Sequence, residues 1–326
     1  MILLTWLSVA LAAEPGWTIG EAPGWVVEQR VPEATSQRRE RSDVQFLLDD
    51  VQVEVGVGSQ IHYYRDVLRI GSVAGIQDYS EIAFAFDPSY ESLTLHHVAL
   101  VRDGQTIDAL RPDELRLVQQ ERDMDLRIYN GELQVLAFLN DVRVGDVIDR
   151  AWSVEGWNPA LDGHYLDVMG LGQEFPVARV HRRVGVPSDL PLHLKQFVDA
   201  PDPTITADDQ RAVYSWELDG VPAFSFDAYA RGSHEQIPWV QLSDFDSWGQ
   251  VIDWALPLYE PGEISDELAT AIAEWDQEET PEDKLQAALA FVQDDVRYLG
   301  IEMGPRGLIP HGVSETFGRR FGDCKD

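Results

Sequence analysis

The chain has 326 residues, and its 57 acidic against 25 basic side chains give a formal net charge of −32 at pH 7. A surface this negative repels nucleic acid and anionic lipid, which excludes both as main partners; an adaptation for solubility is the simplest reason for the acidity. A hydrophobic fraction of 44%, with 10 Trp, 10 Tyr and 12 Phe, excludes a disordered chain, and the length predicts two domains.

Residues 1–13 form an apolar run that is too short to span a bilayer and ends near the small-x-small pattern Ala10-Leu11-Ala12. This pattern predicts a secretory signal peptide, and therefore a periplasmic or secreted protein. The first basic residue is Arg30, so a buried strand or a misassigned start stays open as an alternative. No other segment predicts a membrane span, and residues 14–43 predict an irregular lead-in.

Strand patterns follow over residues 44–240. Val51, Val53 and Val55 alternate with polar residues, as in a strand that is buried on one face. Asp103-Gly104 follows an apolar run and indicates a tight hairpin. Short strands separated by turn residues, with few helical stretches, predict an antiparallel β-sandwich.

Helical patterns replace the strand patterns over residues 245–326. Ser247 and Ser265 each precede apolar residues spaced three and four apart, and both are expected to cap helices. Thr280-Pro281, with Asp283 three residues after the cap, indicates a third helix start. We therefore expect a mainly helical second domain, and an α+β fold class for the whole chain.

Cys324 is the only cysteine in the sequence and stands in Gly322-Asp323-Cys324-Lys325-Asp326. A lone cysteine excludes an internal disulfide and a thiolate-rich metal cluster. If a helix begins after the Gly-Asp pair, its unpaired N–H groups and dipole favour the thiolate, which is the nucleophilic form. The polar neighbours argue against the buried role that is typical of a free cysteine.

Several dispersed motifs in the first part of the chain resemble the DUF3857 domain, a β-rich module of unknown function. They are Tyr90–Val98, Asp103-Gly104, Tyr129-Asn130-Gly131 and Asp141–Ile148. The resemblance covers residues 44 to 235, within the 44–240 strand region, and implies a β-rich fold without implying an activity.

The end of the chain is similar to the approach to the nucleophile in transglutaminase-like domains, which commonly follow DUF3857. The shared stretches are Val296–Glu302, Pro310, Glu315-Thr316 and Arg320–Asp326. The resemblance implies a papain-like Cys-His-Asp site in which Cys324 attacks an amide or thioester carbonyl. It also implies that the histidine and the acid lie downstream of the cysteine. We therefore expect residues 245–326 to be a truncated transglutaminase-like domain, and these 326 residues to be inactive on amides.

The other candidate residues predict no complete site. His311 lies in a Pro-His-Gly turn and is expected to be a surface histidine and not a base. His96 and His97 are adjacent in a strand, so their side chains point to opposite faces and cannot share a metal ion. Asp323 is explained better as a helix cap than as an orienting acid, and Asp326 has the same ambiguity. We predict no metal and no cofactor.

Two hypotheses of function follow. In the first, the protein is exported, and its full-length form carries out cysteine-dependent acyl transfer or amide hydrolysis on a peptide or protein. In the second, the chain is a non-catalytic periplasmic binding or scaffold module in which Cys324 is vestigial. The sequence leaves the substrate and the oligomeric state open.

Overall fold

The structure is a computed structural model that describes residues 16–33, 43–56, 58–119, 124, 127–224 and 237–326. The predicted signal peptide, residues 1–13, lies outside these ranges, as does part of the predicted lead-in. Strands hold 42% of the described residues and helices hold 21%.

The described strands and helices are numbered here in chain order. The strands are β1 Trp17–Ile19, β2 Val44–Gly56, β3 Ser59–Ile70, β4 Glu81–Phe86, β5 Glu91–Arg102, β6 Gln105–Asp108, β7 Arg116–Gln119, β8 Ile128–Tyr129, β9 Leu133–Phe138, β10 Val147–Gly156, β11 Leu166–Gly170, β12 Val177–Pro187, β13 His193–Phe197, β14 Thr204–Ala207, β15 Arg211–Val221, β16 Trp239–Ser243, β17 Arg297–Tyr298, β18 Gly300–Ile301 and β19 Phe321–Gly322. The helices are α1 Val73–Tyr79, α2 Trp248–Ala255, α3 Asp266–Trp275, α4 Pro281–Asp295 and α5 Val313–Arg319.

Nine strands form one large mixed sheet. Their order is β1-β5-β10-β3-β2-β12-β15-β14, and β6 also pairs with β5. Most neighbours are antiparallel, but β1 runs parallel to β5 and β12 runs parallel to β2. Two three-stranded sheets, β4-β9-β7 and β11-β16-β13, accompany the large sheet.

The hairpin predicted at Asp103-Gly104 is confirmed. These residues join β5 to β6, and their φ values are +52° and +77°. Positive φ at both central positions gives the type I′ turn, whose twist matches that of two antiparallel strands. The Asp-Gly pair is suited to this turn because both residues tolerate the left-handed region.

One face of the large sheet is apolar and packs against both small sheets. In the first hydrophobic cluster, Leu93 of the large sheet belongs with Phe84 and Val135 of the β4-β9-β7 sheet. In the second, Val184 belongs with Val240 of the β11-β16-β13 sheet. All five side chains are at most 1% exposed, so these clusters form the core.

The opposite face of the large sheet carries polar side chains in register across neighbouring strands. Arg65, Asp50 and His181 are aligned in one row across β3, β2 and β12. His181 Nδ1 lies 2.7 Å from Asp50 Oδ1, and both side chains are buried. The described part of the lead-in covers this face, because the Gln52 amide exchanges two hydrogen bonds with the backbone of Val27.

The predicted fold class is wrong in two respects. The large sheet is mixed and not purely antiparallel, because β1 and β12 form parallel pairs, and the alternation of apolar residues in one strand does not reveal its partner's direction. The second part is not a mainly helical domain: the described chain is mostly β, and short strands continue beyond residue 245. β17 pairs with β19, and β18 pairs with β8.

Three predicted helix starts are confirmed. Ser247, Ser265 and Thr280 are the N-caps of α2, α3 and α4, and each side chain accepts a hydrogen bond from the backbone N–H three residues later. Pro281 occupies the first turn of α4, where its missing N–H costs nothing.

Residues 300–304 tie the last part of the chain to the sheets. Gly300–Ile301 pairs in parallel with Ile128–Tyr129, and the Gly304 N–H donates to Asp87 Oδ2 at 3.1 Å. These contacts fix the base of the segment that leads to Cys324.

Candidate functional site

Cys324 follows a short parallel strand pair. Phe321–Gly322 pairs with Arg297–Tyr298, and the Leu299 N–H donates to the Gly322 carbonyl at 2.9 Å. Cys324 lies two residues beyond β19, in irregular backbone, and is exposed.

The Asp326 side chain is the centre of a hydrogen-bond network around Cys324. Its Oδ1 accepts from the His311 backbone N–H at 2.6 Å and lies 3.1 Å from His311 Nδ1. Its Oδ2 accepts from Arg319 Nη2 at 2.8 Å and from the Asp323 N–H at 3.1 Å. Burial raises the pKa of the Asp326 carboxyl, but the hydrogen bonds from His311 and Asp323 outweigh burial and hold that pKa below its ordinary value.

A second set of contacts fixes the residues on either side of the cysteine. Asp323 Oδ1 accepts from the Lys325 N–H at 2.8 Å, and its Oδ2 accepts from Lys325 Nζ at 2.7 Å. Lys325 Nζ also donates to Glu302 Oε1 at 3.2 Å. Burial lowers the pKa of Lys325, but its hydrogen bonds with the two carboxylates outweigh burial and raise that pKa. Asp323 and Lys325 are therefore both held in place.

Gly322 is required by the close approach of Asp326. A Cβ atom at Gly322 would lie 2.7 Å from the Cβ of Asp326 and 2.8 Å from its Oδ2. Carbon atoms that are not bonded to each other do not approach this closely, so a larger residue displaces the carboxylate. The Gly-Asp-Cys-Lys-Asp sequence thus has a local physical explanation: glycine makes room for Asp326, and Asp323 binds Lys325.

The structure corrects one assignment made from the sequence. His311 is not an exposed loop histidine, because its side chain is 8% exposed and packs against the Asp326 side chain, which is 2% exposed. Asp323 accepts the Lys325 N–H two residues later, which is a hydrogen bond that the side chain of a helix N-cap makes. The pairing of His311 with Asp326 links residues that are far apart in sequence, and no local pattern indicates it.

The arrangement offers an accessible thiol beside neutralised carboxylates. Arg319 and His311 contact Asp326, and Lys325 contacts Asp323. Within the described ranges, no hydrogen bond joins the Sγ of Cys324 to an imidazole. Such a site can form a bond between sulfur and an electrophilic carbon, but the described residues place no proton acceptor on the sulfur.

The two adjacent histidines of β5 lie in separate environments. His97 Nε2 is 2.7 Å from Asp149 Oδ1, whereas His96 Nε2 is 3.0 Å from Ser153 Oγ. In the part of the chain that the structure describes, no three His, Cys, Asp or Glu residues are arranged to hold a metal ion. The described helices include none with both the length and the apolar character needed to cross a bilayer.

Comparison with known proteins gives a family match and a similar solved structure. The family model DUF3857, described as a domain of unknown function with a solved structure, matches residues 57–225. A crystal structure from Parabacteroides distasonis, described as that of a "putative protease", is 16% identical over 87% of this chain, with a TM-score of 0.71. The chain spans 56% of the length of that structure.

Other comparisons are weaker. An M1 zinc metallopeptidase from Deinococcus radiodurans is 11% identical over 61% of this chain and 42% of its own, but its TM-score of 0.33 is too low to support an argument. No curated protein matches the chain. The comparisons give no support for the transglutaminase-like domain expected after the matched residues.

Proposed function

The chain belongs to the DUF3857 family, whose model matches residues 57–225, and we propose that it carries a nucleophilic cysteine next to this domain. The nucleophile is Cys324, and the reaction is acyl transfer or amide hydrolysis on a peptide or protein. The observation that carries the proposal is the exposed thiol between two side chains, Asp323 and Lys325, that hydrogen bonds hold in place.

The chemistry begins with attack of the Cys324 thiolate on a carbonyl carbon. The bond between that carbon and the leaving amine breaks, the amine takes up the proton that the thiol lost, and a thioester remains on the sulfur. Water or a second amine then attacks the thioester and releases the thiol. The ion pairs of Lys325 and Arg319 support this step, since they reduce the repulsion between nearby carboxylates and the negative charge that develops on the carbonyl oxygen.

The relative from Parabacteroides distasonis adds limited support. At 16% identity its likeness shows the fold alone, but its description as a protease agrees with chemistry at a peptide bond. The resemblance of residues 296–326 to the nucleophile region of transglutaminase-like domains supports the same class of reaction.

The test is an amide-cleavage and acyl-transfer assay on the product of the intact gene, with casein as the protein substrate and Cys324→Ala as the variant. The proposal predicts that activity is lost in the Cys324→Ala protein while its thermal unfolding is unchanged. Activity that persists in this variant would contradict it. The control is Ser314→Ala, which alters a hydroxyl in the same part of the chain that is hydrogen-bonded to Ser265 and Glu263 and not to the thiol.

A non-catalytic binding role is the second candidate. The observation in its favour is that Asp326 engages the imidazole of His311, while no hydrogen bond joins the thiol to an imidazole of the described residues. The same assay distinguishes the two: a gene product without Cys324-dependent turnover on any amide or ester would favour the binding module.

We also propose that the protein is exported to the periplasm or secreted. The apolar run at residues 1–13 and its small-residue end support this. N-terminal sequencing of the protein purified from its native cells tests the proposal. A mature chain that begins shortly after residue 12 is expected, and an intact Met1 on cytoplasmic protein would contradict it.

A further inference from the structure

A cleft of about 520 Å³ lies where three segments of the chain meet, and nothing above assigns it a role. One wall is the turn at residues 159–164, the second is α2 with the 3-10 turn Leu256–Tyr259, and the third is Ile309. Its volume falls within the range that is typical of small-ligand sites.

The α2 wall presents one face of the helix to the cleft. The lining residues Gln250, Asp253, Trp254 and Pro257 stand at positions i, i+3, i+4 and i+7, which is the spacing of one helix face. The Trp254 indole is fixed, because its Nε1–H donates to the carbonyl of Ala160 at 2.9 Å. This hydrogen bond also ties α2 to the turn opposite.

The Gln250 side chain is oriented by Asp246. Its Oε1 accepts the Asp246 N–H at 2.7 Å, and its Nε2 donates to Asp246 Oδ2 at 3.1 Å. Gln250 is therefore held in place as a wall of the cleft, and its amide carries no net charge.

The turn opposite supplies a carboxylate and an imidazole. Asp162 adopts a φ of +50° next to Gly163 at +84°, which makes the turn tight. His164 is held by a stacking contact with Phe245 at 4.0 Å and by Asp244 Oδ1, which lies 3.0 Å from its Nδ1. A carboxylate requires a donor, so Nδ1 carries a hydrogen and donates it to Asp244.

Besides the neutral amide of Gln250 and the imidazole of His164, the cleft offers a ligand two carboxylates. They are those of Asp162 and Asp253. The lining contains neither Lys nor Arg. Its remaining members are apolar: Pro159, Ala160, Trp254, Pro257, Leu258 and Ile309.

A ligand that matches this lining carries several N–H donors and a positive charge on an apolar stem. We infer that the cleft binds the basic side chain of a peptide, and that arginine is preferred. A planar guanidinium reaches two carboxylates from one group and packs against an indole better than an ammonium does. The aliphatic stem then contacts Pro257 and Leu258. This binding does not depend on Cys324 and stands apart from the proposed thiol chemistry.

The experiment is a titration of the protein with N-acetyl-arginine amide at physiological salt, followed by the indole N–H resonance of Trp254. N-acetyl-citrulline amide has the same shape without the charge and is the matched control ligand. We expect saturable binding of the arginine amide and none of the citrulline amide. The Asp253→Asn and Asp162→Asn proteins are each expected to bind about tenfold more weakly, which corresponds to one lost charge-assisted hydrogen bond.

The net charge of −32 attracts any cation, so a control for the general field is needed. Glu278→Gln removes the same charge from an exposed position that does not line the cleft, and it should leave the affinity unchanged. Equal binding of the arginine and citrulline amides would overturn the proposal, as would equal weakening by Glu278→Gln and Asp253→Asn. Unchanged binding in Cys324→Ala is expected, so failure here and failure of the thiol chemistry are distinguishable.

Discussion

The carboxylate of Asp326 lies 3.1 Å from the imidazole Nδ1 of His311 and also accepts the backbone N–H of that residue. This contact joins the end of the cysteine motif to the turn that precedes α5. His311, the described histidine nearest in sequence to Cys324, therefore has a structural role.

The first prediction concerns the loss of this carboxylate. Asp326→Asn weakens contacts with His311 and Arg319, so we expect faster amide hydrogen exchange in peptides that cover residues 311–326. Asp294→Asn alters a carboxylate of α4 outside the network and should leave these peptides unchanged. Unaltered exchange in the Asp326→Asn protein would show that the network does not hold the segment.

The pH dependence of the same segment follows from the lowered pKa of Asp326. A carboxyl whose pKa is lower in the folded state contributes stability above its unfolded pKa of about 4, and this stability is lost as pH falls through the folded pKa. Protection of residues 311–326 should therefore be full at neutral pH and decrease below about pH 4. In Asp326→Asn that acid-dependent component should be absent.

The second prediction concerns Asp149 on the polar face of the sheet. Burial raises its pKa, but hydrogen bonds from His97 and Arg65 outweigh burial and lower the pKa to about 2. A shift of this size corresponds to about 2 kcal/mol of stability at neutral pH. Asp149→Asn should lower the free energy of unfolding by about this amount at pH 7, measured by urea denaturation.

The difference in free energy of unfolding between wild type and Asp149→Asn should diminish as pH falls from about 4 towards 2, because the wild-type carboxylate then becomes protonated. The control is Asp113→Asn, which changes an exposed carboxylate. It should change the free energy of unfolding by no more than about 0.5 kcal/mol. A pH-independent difference between wild type and Asp149→Asn would contradict the electrostatic explanation.

The third prediction tests the core. Phe84 is 1% exposed and packs edge-on against Trp152, with 5.2 Å between the ring centroids. Phe84→Ala leaves a cavity and should lower the free energy of unfolding by about 3–5 kcal/mol. Val73→Ala, at a position that is 66% exposed, should change it by less than about 0.5 kcal/mol. Similar losses in the free energy of unfolding for the two variants, measured by denaturant titration, would contradict the assignment of the core.

The fourth prediction concerns Gly322. The methyl group of Gly322→Ala collides with Asp326, so the carboxylate must move away from His311 and Arg319. We expect limited proteolysis to cleave near residues 319–326 faster than in wild type. Gly312→Ala, where an added Cβ meets nothing within 4 Å, is the matched control. Equal cleavage rates in the two variants would show that the close approach has no consequence.

Local sequence patterns anticipated the local structure of the chain. Ser247 and Thr280 were identified as caps because an N-cap depends on a hydrogen bond to a backbone N–H only three residues away. The Asp103-Gly104 turn was predictable for the same reason. The parallel pairing of β2 with β12 was not, since it joins strands more than a hundred residues apart and leaves no mark on either strand alone.

The candidate site also contains some contacts between sequence neighbours, which could be predicted, and others between distant residues, which could not. Cys324 could be singled out because it is the only cysteine and lies in a recognisable motif. The ion pair of Lys325 with Asp323 is local, but the contact of Lys325 with Glu302 and that of Asp326 with His311 depend on the pairing of β17 with β19. The cleft beside Trp254 depends on three distant segments, and no single stretch of sequence indicates it.

The central claim is that the fold prepares Cys324 for attack on a carbonyl. The most direct measurement is the rate of acylation of this thiol by a peptide phenyl ester, followed by acid quench and mass spectrometry. The reference is the free hexapeptide of residues 321–326, which has the same side chains without the network. We predict that the folded protein is acylated at Cys324 at least about tenfold faster than the hexapeptide. An equal or slower rate in the protein, or an adduct that persists in Cys324→Ala, would contradict the claim.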